Sequence, residues 1–409
     1  MKFTVDQKSA VLALKAVASA TTTKGPQVLS HTLLTASEAG IVTCSATNNE
    51  AAFTFPVPAD VTAPGAAAMD AKLLVKVVEK LSGSFSVALG PRGDEVLLHS
   101  SDNEVRLRCL SAAEFPRLAR FDRATSDRGA EVSAHTMRRM LQLTKDAMCT
   151  DVTRPALAGT LLWLDGKNLV MTASDGCRLA EVSAPSPSRT QLRVTIPRDS
   201  VPSLITFLNT IQKLGLFEGR GPGSGSEGQA RGDDVTVEMH IATDADGHPQ
   251  RLFMACNGAE LALKLLTDPY PNYKDMIPEI SGSCLVDRDA LLHAVALLQV
   301  LAGEETGHSV DLTMKADTLT LQTHSSARGS GVKTLSASYD GGVPYRTSVK
   351  AEFLRKLAAS IDASAVLLEV NASATRSALM VRPPRDSAQA LRFQAAIMPI
   401  SKSATAEAP

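Results

Sequence analysis

Aromatic side chains and catalytic or metal-binding motifs are scarce in this sequence. Only 4% of its 409 residues are aromatic, and Trp163 is the one tryptophan, so small and aliphatic side chains must fill the cores. The six cysteines are widely spaced and form no CxxC pair. We therefore expect reduced, mostly buried thiols. No cluster of carboxylates, histidines and cysteines stands out, which predicts no catalytic centre, no metal and no cofactor.

Long apolar runs and an excess of one charge are also missing. The most apolar helix-like run, 291–302, is interrupted by His293 and Gln299 and is far shorter than the ~20 residues that cross a bilayer. The first ten residues lack the apolar core of a secretory signal, so we expect a cytoplasmic protein with no membrane partner. The net charge of −1 is not that of a generally basic nucleic-acid-binding protein.

The clearest local pattern lies between Asp151 and Leu179. A short apolar run, 161–164, precedes Asp165-Gly166, a dipeptide typical of hairpin turns. The run 169–172 forms the returning strand, and Ser174-Asp175-Gly176 ends it. The sequence therefore predicts a hairpin followed by a glycine turn that presents a basic and an apolar side chain, Arg178 and Leu179.

Two supersecondary patterns each occur three times along the chain. A helix followed by a hairpin is predicted at 6–48, 134–175 and 287–325, and a helix followed by alternating strands at 70–110, 198–266 and 350–400. A period near 130 residues is too long for a solenoid. We predict an α+β protein of three homologous domains, each with two helices packed on antiparallel sheets. The domains are 1–128, 129–281 with a Gly/Ser-rich insertion at 219–234, and 282–409 with a polar tail.

The predicted helices carry more Lys and Arg than Asp and Glu, although the chain as a whole does not. In helix 70–82, Lys72, Lys76 and Lys80 recur every four residues and form one stripe. We expect the apolar residues to occupy the opposite side; these are Leu73, Leu74, Val77, Val78 and Leu81. For any single helix, an ordinary solvent-exposed face is enough to explain the basic residues. Their repetition favours a surface that attracts phosphates without reading bases, inside an otherwise acidic body.

Several motifs resemble the signature of the bacterial sliding DNA clamp, the beta subunit of DNA polymerase III. They are the run from Thr153-Arg154-Pro155 to Leu179, the segment YPNYKDMIP at 270–278, and Met398-Pro399-Ile400. The resemblance covers roughly residues 1–400. It implies a non-enzymatic ring of two chains joined head to tail around duplex DNA, with helices lining the hole and sheets outside. It also implies three partners besides DNA and self: a clamp loader, the polymerase III alpha subunit and other proteins with a clamp-binding motif.

The resemblance and the helix charge imply two sets of site residues, and the edge strands expected at both ends of a chain of three repeated domains imply a third. The DNA-facing set is Lys24, Lys72, Lys76, Lys80, Arg138, Arg139, Lys145, Arg198, Lys213 and Lys350. The partner-peptide pocket, implied between the second and third domains, is Leu157, Ser174, Gly176, Cys177, Arg178, Leu179, Pro271, Asp275, Met276, Thr375, Ser377, Ala396, Met398, Pro399 and Ile400. At the dimer interface we expect Val77, Val105 and Leu107.

Departures from the family pattern leave two other functions open. Cys177 stands where the family often has an aromatic ring or an imidazole, Asp275 where it has a basic residue, and Glu352 where an aromatic side chain is common. These changes are compatible with a specialised second clamp or a clamp-derived scaffold with altered partners. A different class, an enzyme that uses Cys177 with a distant histidine such as His135 or His293, is the second alternative.

Overall fold

The computed structural model describes residues 1–101, 103–120, 127–186, 191–214, 235–374, 377–386 and 391–400, with the backbone alone for 127–129. The insertion 219–234, the tail 401–409 and the predicted pocket residue Thr375 lie outside the described residues. Every strand pairing with a recorded register is antiparallel, and each of the six predicted helices is present. The predicted α+β class is confirmed.

The helices and strands follow one another in the repeated order that the sequence predicted. The first part contains β1 (Lys2–Asp6), α1 (Gln7–Ala18), β2 (His31–Ala36), β3 (Ile41–Thr47), β4 (Ala51–Ala63), β5 (Gly65–Asp70), α2 (Ala71–Val78), β6 (Ser84–Leu89), β7 (Glu95–Ser100) and β8 (Asn103–Ser111). The middle part contains β9 (Asp127–Ser133), α3 (Ala134–Thr144), β10 (Gly159–Asp165), β11 (Asn168–Ser174), β12 (Arg178–Pro185), β13 (Gln191–Pro197), α4 (Val201–Lys213), β14 (Thr236–Thr243), β15 (Pro249–Cys256) and β16 (Ala259–Lys264). The last part contains β17 (Gly282–Asp287), α5 (Arg288–Leu301), β18 (Ser309–Lys315), β19 (Thr318–Ser325), β20 (Gly329–Tyr339), β21 (Tyr345–Lys350), α6 (Ala351–Ala359), β22 (Ala365–Val370), β23 (Leu379–Arg382) and β24 (Arg392–Ile397).

Residue contacts divide the chain into two compact units. The first comprises Met1–Arg139, Leu164–Lys167 and Ser186–Thr267, and the second comprises Met140–Trp163, Asn168–Pro185 and Asp268–Pro409. The sheet of the first unit has the strand order β1-β6-β7-β8-β5-β2-β3-β4-β16-β15-β14-β9. In the second unit the order is β10-β11-β12-β24-β23-β22-β17-β20-β19-β18-β21. The division into three homologous domains stays a prediction.

In the first unit, β1 pairs with both β6 and β4, so strands β1 to β8 form a closed set. Helix α1 begins where the Asp6 carboxylate accepts the Ser9 N–H at 3.0 Å, and α2 begins where Asp70 accepts the Leu73 N–H at 2.8 Å. Each such cap satisfies an N–H that has no partner inside its helix. On α2, the prediction is correct for Leu74, Val78 and Leu81, which are buried.

The prediction is wrong for Leu73 of the same helix, which is 49% exposed. The residue faces away from the sheet because it lies between Lys72 and the buried Leu74, outside the stripe that contacts the core. An exposed leucine is common on protein surfaces and by itself needs no explanation. Its position on α2, the helix that carries Val77, becomes relevant to the predicted dimer interface below.

The second unit contains the glycine turn and the predicted hairpin except for its tip, Leu164–Lys167, which belongs to the first unit. Strands β10 and β11 are connected through Asp165 and Gly166, and Gly166 has φ +90°, a backbone conformation that favours glycine. Strand β11 then pairs with β12 from Asn168↔Pro185 to Ser174↔Leu179. Helix α5, capped by Asp287 at the Ala290 N–H (2.8 Å), packs beside α6. The turn between β11 and β12 therefore connects two adjacent strands of this sheet, and β12 pairs on its other side with β24.

Candidate functional site

The turn from Ser174 to Arg178 is held by its own side chains. The Asp175 carboxylate accepts the backbone N–H groups of Cys177 and Arg178, both at 2.9 Å. The Ser174 hydroxyl donates to the Arg178 carbonyl at 2.8 Å and accepts the Gly176 N–H at 3.1 Å. Gly176 has φ +84°, where a side chain is disfavoured. The turn is therefore a rigid support for the two residues that follow the glycine.

Arg178 is the most strongly constrained charged residue of the turn. Its Nε donates to Asp175 Oδ2 at 3.0 Å, and its guanidinium carbon lies 4.1 Å from the centre of the Phe353 ring. The residue is only 9% exposed. Its Nη1 is buried and has no hydrogen-bond partner within the described part of the chain. A buried donor of this kind costs free energy until an acceptor arrives, so Nη1 is suited to hold a ligand oxygen.

Phe353 corrects one expectation from the sequence. An aromatic side chain was predicted to be missing because Glu352 occupies the family position, but the ring of the next residue stacks on Arg178. The Lys350 ammonium lies 4.9 Å from the centre of the same ring. Hydrogen bonding to Lys356 lowers the pKa of the Glu352 carboxyl. Lys350, predicted to face DNA, therefore lies beside the Arg178 turn.

The segment Met398–Ile400 passes along the turn as an extension of β24. Strand β24 pairs with β12 from Arg178↔Ile397 to Ser183↔Arg392. Beyond the strand, the Met398 N–H donates to the Cys177 carbonyl and the Ile400 N–H donates to the Ser348 carbonyl, both at 2.8 Å. The Met398 side chain is 40% exposed. Residues near a chain end stay ordered when they are docked in this way, and this docking leaves the methionine at the surface.

An apolar cluster lies beneath the turn. Its buried members are Leu161, Leu179, Tyr270, Tyr273, Ala378, Met380 and Ala396, with Leu157, Met276, Ile277 and Ile280 packed against them. Leu179 and Ala396 are fully buried, so they support the site from below and do not line its surface. The Met276 sulfur lies 3.6 Å from Ser174 Oγ. Part of the segment from Pro271 to Ile280 therefore packs beside the turn, which Met398 also contacts through Cys177. We call the turn together with these two segments the Arg178 site.

The remaining predicted pocket residues lie at the edge of the Arg178 site or behind it. Pro271, Asp275 and Cys177 are exposed, and Asp275 accepts from the Asn272 amide at 3.0 Å. Ser377 is buried and accepts the Asn371 N–H at 3.2 Å. The structure thus brings the described members of the predicted set into one region of the second unit. Their role as a binding site stays a prediction.

Sequence reasoning missed three features of the site: the two tyrosines, Phe353, and Arg154 as a donor. The Tyr270 and Tyr273 rings meet edge to face at 6.4 Å, and burial raises the pKa of Tyr270. Arg154 Nη1 donates to the Asp175 carbonyl at 2.8 Å, which connects the 151–154 loop to the turn. The two tyrosines stand in the segment YPNYKDMIP, which the sequence analysis quoted for the resemblance. The pocket residues taken from that segment were Pro271, Asp275 and Met276, and the tyrosines were given no role.

A ladder of polar side chains joins the strands that carry the site. Gln394 of β24 donates to Glu181 of β12 at 2.6 Å and accepts from Arg382 of β23 at 2.6 Å. Arg382 and Arg385 both donate to Glu369, whose side chain is fully buried. Buried polar partners of this kind tie specific positions to each other across strands. They fix the register of β12 against β24, and with it the position of Met398.

The predicted DNA-facing residues fall into two groups. Lys24, Lys72, Lys76, Lys80, Lys145 and Lys213 are exposed, whereas Arg138, Arg139, Arg198 and Lys350 are half-buried. Lys15 of α1, which was not predicted, pairs with Glu79 at 2.6 Å beside the lysine stripe. Arg198 pairs with Asp199 at 3.3 Å. Lys72 and Lys76 of α2, and Lys80 just beyond it, make no ion pair in the part of the chain that the structure describes.

The predicted dimer-interface residues lie on α2 and β8. Strand β8 pairs with β7 over Asn103–Arg108 and with β5 only over Cys109–Ser111. One edge of its first six residues therefore has no neighbouring strand among the described residues. Val105 on this segment is half-buried and Leu107 is 8% exposed. An open strand edge of this kind can pair with another chain.

Two further features bear on the chemistry. All six thiols are free; Cys177 is exposed and the other five are buried, as predicted. Asp244, Asp246 and His248 form an exposed group whose ligand atoms lie within 4.8 Å of one another, which the sequence analysis did not single out. Asp244 Oδ1 accepts the N–H groups of the other two residues, the bonds of a tight turn. In the described residues, no helix is long and apolar enough to cross a membrane.

Comparisons with known proteins identify the family of this architecture. A model of the DNA polymerase III beta subunit N-terminal domain matches residues 1–119, and one of the C-terminal domain matches residues 274–400. The chain is 25% identical over 321 residues to the beta sliding clamp of Synechococcus elongatus, covering 77% of each. It is 23% identical over 406 residues to that of Bacillus subtilis, covering 94% of this chain and 97% of the relative.

A solved structure extends the similarity to the fold. The crystal structure of the Bacillus subtilis DNA polymerase sliding clamp matches with a TM-score of 0.82 at 19% identity. The match covers 98% of this chain and 100% of that one. At this identity the likeness establishes the fold alone, and it does so over nearly the full length.

Proposed function

Because the chain belongs to the bacterial sliding DNA clamp family, the beta subunits of DNA polymerase III, we propose that two copies close into a ring around duplex DNA. The ring tethers the polymerase and so makes synthesis processive. The family is non-catalytic, which removes the alternative of an enzyme that uses Cys177. The observation that carries the proposal is a junction between two paired strands that occurs twice within the chain. The two strands that would form a third junction of the same kind each have an open edge.

The two junctions have the same construction. In the first unit β4 pairs with β16 through Ala52↔Ala262, and in the second β12 pairs with β24 through Leu179↔Ala396. In each, the strand that follows a helix–hairpin pattern pairs with the last strand of a helix–strand pattern. With three domains, 1–128, 129–281 and 282–409, the first junction joins β4 of the first domain to β16 of the second. The other junction joins β12 of the second domain to β24 of the third. The strands without such a partner are β20 and β8.

Strand β20 is open in the same way as β8. It pairs with β19 over Gly329–Ser336 and with β17 only over Ala337–Tyr339. One edge of Gly329–Ser336 therefore has no neighbouring strand in the described part of the chain. Pairing β20 of one copy with β8 of the other would repeat the junction and satisfy both edges. Head-to-tail contacts of this kind close into a ring when the rotation permits.

Exposed apolar side chains flank both open edges. On the β20 side, Leu297 and Val300 of α5 and Val332 of β20 are 56%, 72% and 66% exposed. On the β8 side lie the exposed Leu73 and the predicted interface residues, of which Val77 and Val105 are half-buried and Leu107 is buried. Contiguous exposed apolar side chains mark interaction surfaces. We propose that these two surfaces meet in the ring.

DNA attraction is assigned to the basic helix faces. The α2 stripe of Lys72, Lys76 and Lys80 is exposed and carries no ion pair among the described residues. Lysines that neutralise phosphates bind without regard to sequence and allow sliding. Lys24, Lys145, Lys213 and the half-buried arginines belong to the same proposal. Lys350 fits it least, since its ammonium lies against the Phe353 ring at the Arg178 site.

The Arg178 site is proposed to bind a short peptide segment of each partner. Exposed Met398 and half-buried Met276 offer flexible, polarizable walls that accept different side chains, and Arg178 Nη1 offers a donor to a peptide carbonyl or carboxylate. Leucine and phenylalanine anchors would each contribute ~1.5–3 kcal/mol by burial. After ordering costs the affinity should be near micromolar, about −8 kcal/mol. The partners are the clamp loader, the alpha subunit and other clamp-binding-motif proteins.

Retention on DNA of different topology tests the ring. After loading by a clamp loader, the protein should stay on nicked circular DNA during gel filtration and leave once a restriction enzyme linearises the circle. Light scattering of the free protein should give twice the chain mass of 43.1 kDa. Equal release from circular and linear DNA would contradict encirclement. With peptide binding intact, that result would favour the clamp-derived scaffold.

A further inference from the structure

A small apolar cavity lies in the core of the first unit, enclosed by helices α1 and α2 and by strands β1 to β7. Every side chain that lines it is apolar and at most 5% exposed. The centre of a water-sized sphere can lie within about 20 Å³ of this space, so the cavity admits a sphere larger than one water molecule. The proposed ring, the DNA contacts and the Arg178 site make no use of it.

The strand registers explain why space is left at this point. Val42 of β3 lies opposite Val57 of β4, and Phe3 of β1 lies opposite Val87 of β6. These four side chains line the cavity, and α1 adds Ala10 to the same space. A valine side chain is short and stiff, and large aromatic side chains are scarce in a chain that is only 4% aromatic. The small side chains therefore surround a void that none of them fills.

Water is disfavoured in this cavity. The backbone N–H and C=O groups of the lining strands take part in the antiparallel ladders of the sheet. Cys44 contributes the one thiol of the lining, and burial raises its pKa to about 12, so it stays neutral at neutral pH. A buried water needs about two to four polar partners, and an apolar cavity without them stays dry and takes up small apolar molecules instead.

Helix α2 closes one side of the cavity through Leu74 and Val78. Two bonds from α1 hold its C-terminal end: Gln7 Nε2 donates to the Val78 carbonyl at 3.1 Å, and Lys15 pairs with Glu79 at 2.6 Å. The ion pair is at the surface, where such pairs contribute little to stability. Local separation of two helices joined in this way gives a small molecule access to the cavity without unfolding of the sheet.

We propose that this void, the α1–α2 cavity, binds one uncharged, apolar molecule of a few heavy atoms. The lining atoms lack contact partners across the void, so an occupant of this kind gains dispersion contacts on every side. A charged or hydrogen-bonding molecule would lose its hydration and find no polar partner in return. The site lies within a single chain, so it requires neither ring closure nor DNA nor a partner peptide.

Xenon is a suitable ligand for the test, because it is uncharged, polarizable and larger than water. Xenon NMR measures its affinity for the full-length protein, and thermal unfolding reports on stability. The filled variant is Val42→Ile with Val57→Ile, which adds two methylene groups to the cavity lining. The matched control is Val132→Ile with Val237→Ile, a pair that is also buried and opposite across neighbouring strands of the first unit, away from the cavity.

We expect the filled variant to bind xenon at least ~10-fold more weakly, because the added groups occupy the space, and the control to stay within ~2-fold of the unmodified chain. The filled variant should also unfold at a temperature ~2–4 °C higher. The control adds the same groups to a packed core and should unfold at a lower temperature. Equal xenon affinity in the filled variant and the unmodified chain would overturn the proposal, as would the absence of saturable xenon binding to the unmodified chain.

The variant Val57→Ala supplies a test that does not depend on folding of the filled variant. It removes carbon atoms from the same wall and enlarges the cavity. Xenon affinity should therefore rise above that of the unmodified chain, while the unfolding temperature falls. A folded Val57→Ala protein that binds xenon no more tightly than the unmodified chain would overturn the proposal.

Discussion

Two valines at the open edge of β20 give the sharpest test of ring closure. Val300 and Val332 are 72% and 66% exposed in the single chain, so their truncation to alanine removes little from its core. If β20 and α5 meet β8 and α2 of a second copy, the same side chains become buried. The double variant Val300→Ala and Val332→Ala should therefore weaken the dimer and leave the fold of the chain unchanged.

The size of the effect follows from the exposed fractions. Each truncation removes two methylene-sized groups worth about 0.8 kcal/mol apiece when fully buried. Since roughly two thirds of each side chain is available for burial, each valine contributes about 1 kcal/mol per interface. A ring of two chains has two interfaces, so the double variant should lose about 4 kcal/mol and its dimer Kd should rise ~1000-fold.

Sedimentation equilibrium over a wide concentration range measures this constant, and thermal unfolding reports on the fold. Val152→Ala is the matched control, because Val152 is 88% exposed and lies in the loop before Arg154. We expect the control to dimerise like the unmodified chain, and surface truncations should change stability by less than about 0.5 kcal/mol. A double variant whose Kd stays within tenfold of the original would show that the chains join elsewhere.

Three other predictions concern charge, protonation and thiol reactivity. Replacing Lys72, Lys76 and Lys80 by Glu should weaken DNA association and lower its salt slope by about one unit per lost phosphate contact, with Lys315→Glu as control; an unchanged slope would make the stripe an ordinary solvated face. The Thr153 hydroxyl lowers the pKa of Asp151 below its usual 3.8. That bond is therefore complete above pH 3.8 and is lost as pH falls through the lower folded pKa, and a Thr153 amide resonance that titrates at or above 3.8 would contradict this. One thiol per chain, Cys177, should react with a disulfide reagent at neutral pH, because the other five are buried and burial raises the pKa of one of them, Cys44, to about 12. All six should react after unfolding, and rapid reaction of two or more native thiols would refute the prediction.

Local patterns in the sequence predicted the elements of the fold well. Hydrophobic spacing located six helices, and Asp165-Gly166 located the hairpin, because turn chemistry and periodicity act over a few residues. The prediction for Leu73 was wrong because α2 is short and buries a narrow stripe. Burial depends on which elements pack against a helix, and spacing along the helix does not contain that information.

The site was predicted mainly through resemblance, and its details required the structure. Phe353 was missed because Glu352 was taken as the counterpart of the family's aromatic residue. In the structure the ring that stacks on Arg178 belongs to the next residue of α6. The similarity of the turn Thr47–Ala51 to Ser174–Arg178 was missed because Asn48-Asn49 and Asp175-Gly176 differ in sequence. Both pairs supply a side-chain acceptor followed by a left-handed residue, and only the hydrogen bonds reveal the equivalence.

The open edges of β8 and β20 also determine how the chain would behave if the proposed ring did not close. They are different surfaces on one chain, so a third copy can add to a dimer that has joined at one edge only. Head-to-tail pairing that misses closure continues into filaments, and an unpaired strand edge is a site of aggregation. Substitutions that tilt β20 by a few degrees should therefore leave the chain folded yet convert the proposed ring into fibrous assemblies, which electron microscopy would detect.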